Sequence, residues 1–363
     1  MELQRRTEVT AWTASETNGT ARFNERLGYA YDAAGNLQRR TNDALVQSFT
    51  VDAANGLTNI TRTATFTLSG ATPAPATNVI VNGLTAERYG DFTFARTNLA
   101  LADGSNAFTN IAHQNIYGVK ATNILTANLP AIVALRLDAN GNLTNDGLKS
   151  FGYDAENQLT SVAAAGQWRE EFLYDGLNRR RIVRECRWDA GTSAWVTTNE
   201  TRFVYDGNAV IQEWTSNNVA QVSYTRGGHS LLARTDTNGS VYYHADGNGN
   251  ITALIDAQEN IVGRYLYDPF GRMLGKWGPK ADSNRYRFAG KAWDYQAGFY
   301  YFGRRYYDPT WQRFLNHDPI SERGGLNLYA YCQNNPVCLI DLMGFCPGDP
   351  CIWMENLGGR PLE

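Results

Sequence analysis

Long hydrophobic runs are missing from this chain. No stretch approaches the roughly 18 consecutive apolar residues that a membrane-spanning helix needs. Cysteine is scarce and odd in number, five in 363 residues, which excludes a disulfide framework as the main source of stability. Charge of one sign is lacking as well. Lys and Arg number 33 against 36 Asp and Glu, a net charge of −3 without a basic stripe or tail, which argues against a nucleic-acid or anionic-membrane partner. The opening MELQRRTEVTAWTASE has no apolar segment of the kind a signal peptide carries. Phosphate-binding glycine loops, HExxH and Gly-x-Ser-x-Gly elements do not occur, and the four His are scattered too widely to favour a His-based triad.

Aromatic residues and turn formers are what the chain has in quantity. Tyr, Phe and Trp make up 12%, with 20 Tyr, and suit pleated, half-buried β surfaces. An aromatic-Asp pair followed by a Gly- or Asn-containing turn and an apolar residue recurs along the sequence. It reads YDAAGNL from Tyr31, VDAANGL from Val51, LDANGNL from Leu137 and YDAENQL from Tyr153, then YDGLNRR from Tyr174, YDGNAVI from Tyr205, ADGNGNI from Ala245 and YDPFGRM from Tyr267. Asp138, Asp154 and Asp175 follow one another at about the length of one hairpin, as do Asp246 and Asp268. This is the pattern of a β-hairpin array. Asp and Asn bond local backbone, Gly supplies positive φ, and the rings stack between neighbouring strands. No single hairpin is stable alone, so the array must grow by stacking.

The repeats pause between about residues 61 and 132. Alternating apolar and polar positions there, with Asn82-Gly83 and Asp103-Gly104 as turn signals, predict a small inserted Ig-like β-sandwich acting as a spacer; Thr72 to Thr77 (TPAPAT) also reads as a linker. Two segments imitate the start of a calcium loop, Asp138-x-Asn140-x-Asn142 and Asp246-x-Asn248-x-Asn250. Both lack the Gly and Glu that calcium requires at the sixth and twelfth positions, and read as hairpin turns. Cys332, Cys338, Cys346 and Cys351 are spaced C-x5-C and C-x4-C, off the zinc pattern, and read as free thiols. No cofactor or metal is expected.

Residues 288–345, FAGKAWDYQAGFYYFGRRYYDPTWQRFLNHDPISERGGLNLYAYCQNNPVCLIDLMGF, have almost no helical period and are dense in Tyr, Gly, Asn and Asp-Pro. Together with the repeats, this segment resembles the repeat-associated core of Rhs/YD-repeat proteins, the family of polymorphic-toxin shells and insecticidal-toxin cocoons. The resemblance covers roughly two-thirds of the chain. It implies an all-β fold in which YD hairpins (1–60 and 133–284) build part of a shell, interrupted by the β-sandwich (61–132). A core (285–345) plugs the end and a short variable tail (346–363) follows. It also implies a structural, encapsulating role, secretion or a cell-surface location, and as partners a missing N-terminal shell segment or secretion apparatus, a toxin cargo and an immunity protein.

The resemblance further implies an aspartic self-cleavage centre: Arg305 in RYYDP, Asp318 in HDP and Asp341 in IDLMG, with Phe345-Cys346 as the scissile bond. The three stand at the intervals that the family motif also has. Two close carboxylates share a proton, and a guanidinium polarises a carbonyl. Turn chemistry alone suffices to explain Asp308, Asp318 and Asp341, since Asp-Pro is a common turn opener. The chain departs from the family pattern at Gln312, where Gly is usual, and at His317 and Leu342, where Pro is usual; losing Pro loosens the loops that aim the carboxylates. The tail 346–363 is too short for an enzyme domain, so no toxin activity is expected from it. The abundant rings leave a second reading, a cell-surface adhesion or carbohydrate-binding protein. A third is an inactive orphan fragment.

Overall fold

A computed structural model describes residues 8–12, 21–63, 65–72, 75–114, 119–228 and 230–345. The tail 346–363, which carries Cys346 and Cys351, lies outside the described residues, as do Pro73 and Ala74 of the TPAPAT segment. The described chain is all-β. Four short 3-10 turns are its only helical elements, and no helix is long and apolar enough to cross a membrane.

The repeated Asp closes its own hairpin. In the turn from Asp138 to Asn142, Asp138 Oδ1 accepts from the backbone N–H of Asn140 and of Asn142, both at 2.9 Å. Asp154, Asp175, Asp246 and Asp268 likewise accept from the residues two and four ahead. The fourth residue of each turn is left-handed: φ is 79° at Gly141, 60° at Asn157, 58° at Asn178 and 77° at Gly249. Gly and Asn reach that region at least cost, so the repeat needs them there. Both calcium-like segments are such turns.

The Tyr before the turn joins one hairpin to the preceding one. Tyr174 donates its hydroxyl to the carbonyl of Leu159, Tyr205 to that of Arg180 and Tyr267 to that of Ile251. Each acceptor is the residue that follows the previous turn. Ring burial and a satisfied hydroxyl explain the Tyr-Asp pairing in these three repeats; the Tyr31 hydroxyl reaches Gln312 of the core instead, and that of Tyr153 has no partner among the described groups.

Strands follow one another in antiparallel order to make a 6-stranded sheet, Glu8–Trp12 to Ile132–Ala134, and a 14-stranded sheet, Arg136–Leu137 to Met273–Trp277. The two meet at Leu135, whose N–H donates to Thr58 O at 2.8 Å. The insert leaves after Leu57–Thr63 and returns at Ile132–Ala134, which pairs with that same strand. Its 3-stranded and 4-stranded sheets share a core of Leu68, Val79, Val81, Phe94 and Phe108. The wall curls back on itself: Phe270 meets Tyr29 with centroids 5.3 Å apart, and Met273–Trp277 packs on Phe66–Ala71 of the insert.

Inside the curl sits the segment after residue 285, continuous with the main hydrophobic core. Its ring cluster includes Phe288, Tyr300, Phe302, Tyr307, Phe314 and Tyr331. Polar side chains from the same segment reach the wall's turns. Asn334 donates to Gly35 O at 2.7 Å, Asn327 to Asn36 Oδ1 at 2.9 Å, Tyr329 to Gly141 O at 2.8 Å and Asn316 to Asn157 O at 3.1 Å.

Candidate functional site

Four short antiparallel strands, Ala292–Asp294, Phe299–Tyr301, Tyr306–Asp308 and Arg313–Phe314, form the platform of the core. Arg305 enters from the turn before Tyr306–Asp308. Its guanidinium lies 3.7 Å from the ring centroid of Phe314, and the residue is 2% exposed. Every donor nitrogen has a partner. Nε donates to Gly344 O, Nη1 to Leu328 O at 2.9 Å, and Nη2 both to Asp318 Oδ2 at 2.6 Å and to the carbonyl of Phe345 at 3.3 Å. Planar, multiply donating geometry is what Arg offers and Lys does not.

Asp318 divides its oxygens between two tasks. Oδ1 accepts from Ile320 N–H at 3.0 Å, which is turn chemistry, while Oδ2 holds Arg305. Burial raises its pKa to about 6, although Arg305 pulls the other way; the charge of Asp341 adds to the rise. Asp341 is a loop organiser. Its Oδ1 accepts from the N–H groups of Met343, Gly344 and Phe345 at 3.1, 2.7 and 3.2 Å. Gly344, at φ 77°, completes the turn that brings the Gly344 and Phe345 carbonyls to Arg305. Burial also raises the Asp341 pKa, offset in part by Arg305 and by the backbone donors. Desolvation lowers that of Arg305, against the pull of both carboxylates.

The fold therefore sets Arg305 between Asp318 and the Phe345 carbonyl, while Asp341 holds the Phe345 N–H on the same loop; Cys346 lies outside the described residues. Asp308 stands apart and caps its own turn through Thr310 and Trp311 N–H. His317 faces away and meets the Tyr329 ring edge-on, centroids 4.8 Å apart. Gln312, in the position where a Gly was usual, has φ 58° and accepts from the Tyr31 hydroxyl at 2.7 Å. Cys332 is buried and Cys338 exposed, both free. No cluster of His, Cys, Asp and Glu suited to a metal occurs among the described residues.

Sequence reasoning did not find the platform ring of Phe314 or the carbonyl of Leu328. The Arg-Phe pair at 313–314 was a signal for the first. It also gave no sign of a second buried carboxyl pair, Glu170 and Asp294, beside Arg180.

Residues 130–337 match the family model described as Teneurin YD-shell. The tRNA3(Ser)-specific nuclease WapA of Bacillus spizizenii is 31% identical over 229 residues, 61% of this chain and 9% of that protein. Toxin subunit YenC1 of Yersinia entomophaga is 26% identical over 371 aligned residues, 90% of this chain and 38% of that one. Among solved structures, TcdB2-TccC3-TEV superposes with a TM-score of 0.50 at 18% identity, covering 88% of this chain and 17% of the other, a likeness of fold. The chain spans less than two-fifths of the length of each.

Proposed function

The chain belongs to the Teneurin YD-shell family, and on that footing we propose that it is a wall and plug of an encapsulating toxin-delivery shell whose core cuts its own backbone once, after Phe345. The observation that carries this reading is the Arg305 Nη2 donor shared between Asp318 and the Phe345 carbonyl. Arg305 polarises that carbonyl and stabilises the oxyanion that develops there. Asp318, with a pKa near 6, is ionised in a useful fraction at neutral pH and serves as general base toward water. Asp341 folds the loop that presents the bond, and the proton that Asp318 takes from water is the one passed to the leaving nitrogen.

In this reading the remainder of the shell is supplied by further chain, cargo is enclosed beside the core, and the particle acts outside the producing cell. Support comes from the family match and from the toxin-subunit relative. The inward-facing repeat tyrosines favour a wall over a sugar-binding face. Intact mass spectrometry of the expressed chain tests the cut. Loss of the tail 346–363, abolished in Asp318→Asn and Asp341→Asn, is expected. A chain that stays whole from pH 5 to 8 would refute self-cleavage.

A further inference from the structure

Where the wall meets the core, the structure leaves a cavity of about 110 Å³. That is several times the roughly 10–15 Å³ that one water needs. Five cations line it, Arg179, Arg180, Arg226, Lys291 and Arg304, and no Asp or Glu among the described residues does. Each cation is held by an aromatic ring, with centroid distances from 4.3 Å for Arg180 to 5.9 Å for Arg304. Two of the five have a carboxylate nearby: Arg179 meets Asp175 at 2.8 Å and Arg180 stands 3.9 Å from Asp294. Arg226 and Arg304 have none among the described residues. They bond backbone carbonyls alone, Arg226 through Nε to Val210 at 3.0 Å and Arg304 through Nη1 to Leu177 at 2.6 Å. Both Nη atoms of Arg226 and Nη2 of Arg304 are left for a ligand.

We propose that this cavity is a binding site for a phosphoryl group, carried by inorganic phosphate, pyrophosphate or a nucleotide. Charges of one sign gathered in a cleft focus the field and concentrate the opposite ion there. Guanidinium forks match the oxygen spacing of phosphate, and several of them together match its multiple charge. A single carboxylate would leave most of that charge unmet. Arg179 and Arg226 come from the wall, Lys291 and Arg304 from the core, so one bound anion bridges the two. Binding to the folded chain alone then stabilises the seam. The site is separate from Arg305, whose donors are spent on Gly344, Leu328, Asp318 and Phe345, and it does not depend on self-cleavage.

The test titrates the full chain by calorimetry at constant ionic strength, set with chloride. Pyrophosphate is expected to bind saturably and to raise the melting temperature as its concentration passes the dissociation constant. Arg226→Gln and Arg304→Gln should each weaken binding about tenfold, the loss of one charge-assisted hydrogen bond. Arg187→Gln removes the same charge from an exposed strand position and should change binding by less than about twofold. Circular dichroism checks the fold of each variant, and the wild-type titration stands whether or not a variant folds. ADP binding more tightly than pyrophosphate would place the group on a nucleotide; equal or weaker binding would make the free anion sufficient. Either result supports the site. A wild type without saturable binding overturns the proposal, as does undiminished binding in a folded Arg226→Gln or Arg304→Gln. Citrate binding as tightly as pyrophosphate would overturn the phosphoryl assignment, because charge alone would then suffice.

Discussion

Glu170 on the wall and Asp294 on the core bury their carboxyl groups against one another, 3% and 2% exposed. Glu170 Oε2 and Asp294 Oδ2 have no N–H or O–H donor among the described groups, and Arg180 approaches Asp294 only to 3.9 Å. A proton on Glu170 gives the pair its missing hydrogen bond. Burial and then Asp294 push the Glu170 pKa up to about 10.

Folding therefore holds a proton that the unfolded chain releases near pH 4.5, so this pair's contribution is complete below that value and is lost as pH rises toward 10. Glu170→Gln supplies a permanent donor of the same size. It should raise stability at pH 7 to 8 by on the order of 1–2 kcal/mol and flatten the alkaline slope. Urea melts of both proteins at pH 5 and pH 8 check this; equal slopes would count against a shared proton.

The cut should depend on pH through Asp318. With its pKa raised to about 6, the base is protonated below that value and ionised above it. The first-order rate of tail loss is expected to climb about tenfold per unit below pH 6 and level off above it. A rate independent of pH between 4 and 8 would remove Asp318 from the role of base.

Tyr174→Phe deletes one hydroxyl and keeps the ring. The bond to Leu159 O at 2.7 Å is lost and that carbonyl loses a buried partner. The expected cost is about 1 kcal/mol, with no change in sheet content. Tyr205→Phe and Tyr267→Phe should each cost a similar amount, and chemical denaturation of the three variants shows whether the repeat is energetically regular.

Gln312 sets two effects against each other. Its left-handed backbone costs roughly 1–2 kcal/mol that glycine would relieve. Its Oε1 satisfies the buried Tyr31 hydroxyl, and losing that bond with the packing around it costs about 1–3 kcal/mol. On balance Gln312→Gly should be destabilised by on the order of 1 kcal/mol despite matching the family pattern. A higher melting temperature would show that the backbone term wins.

The legible parts of this fold were local. Asp138 and its counterparts bond to residues two and four ahead, so a short window of sequence contains the whole turn. The Tyr-Asp order was visible for the same reason, although the Leu159, Arg180 and Ile251 carbonyls that receive the hydroxyls could not be named. The curl that sets Phe270 against Tyr29 joins residues far apart in the chain, and no periodicity encodes it. At the site, the spacing of Arg305, Asp318 and Asp341 was readable through resemblance. That Asp341 would spend one oxygen on three backbone donors was not, because the loop Met343 to Phe345 carries no strong turn signature beyond Gly344.

The clasp between the core and the earliest turns sets an order of events. Asn334 must find Gly35 across 299 residues, and Asn327 must find Asn36 across 291. Such distant partners meet late, after loop closure has been opposed by chain entropy. During synthesis, the core residues that grip Gly35 and Asn36 leave the ribosome long after those turns have emerged. Arg305, Asp318 and Asp341 belong to that same core segment, so their geometry is assembled only once the wall turns that the segment grips are in place.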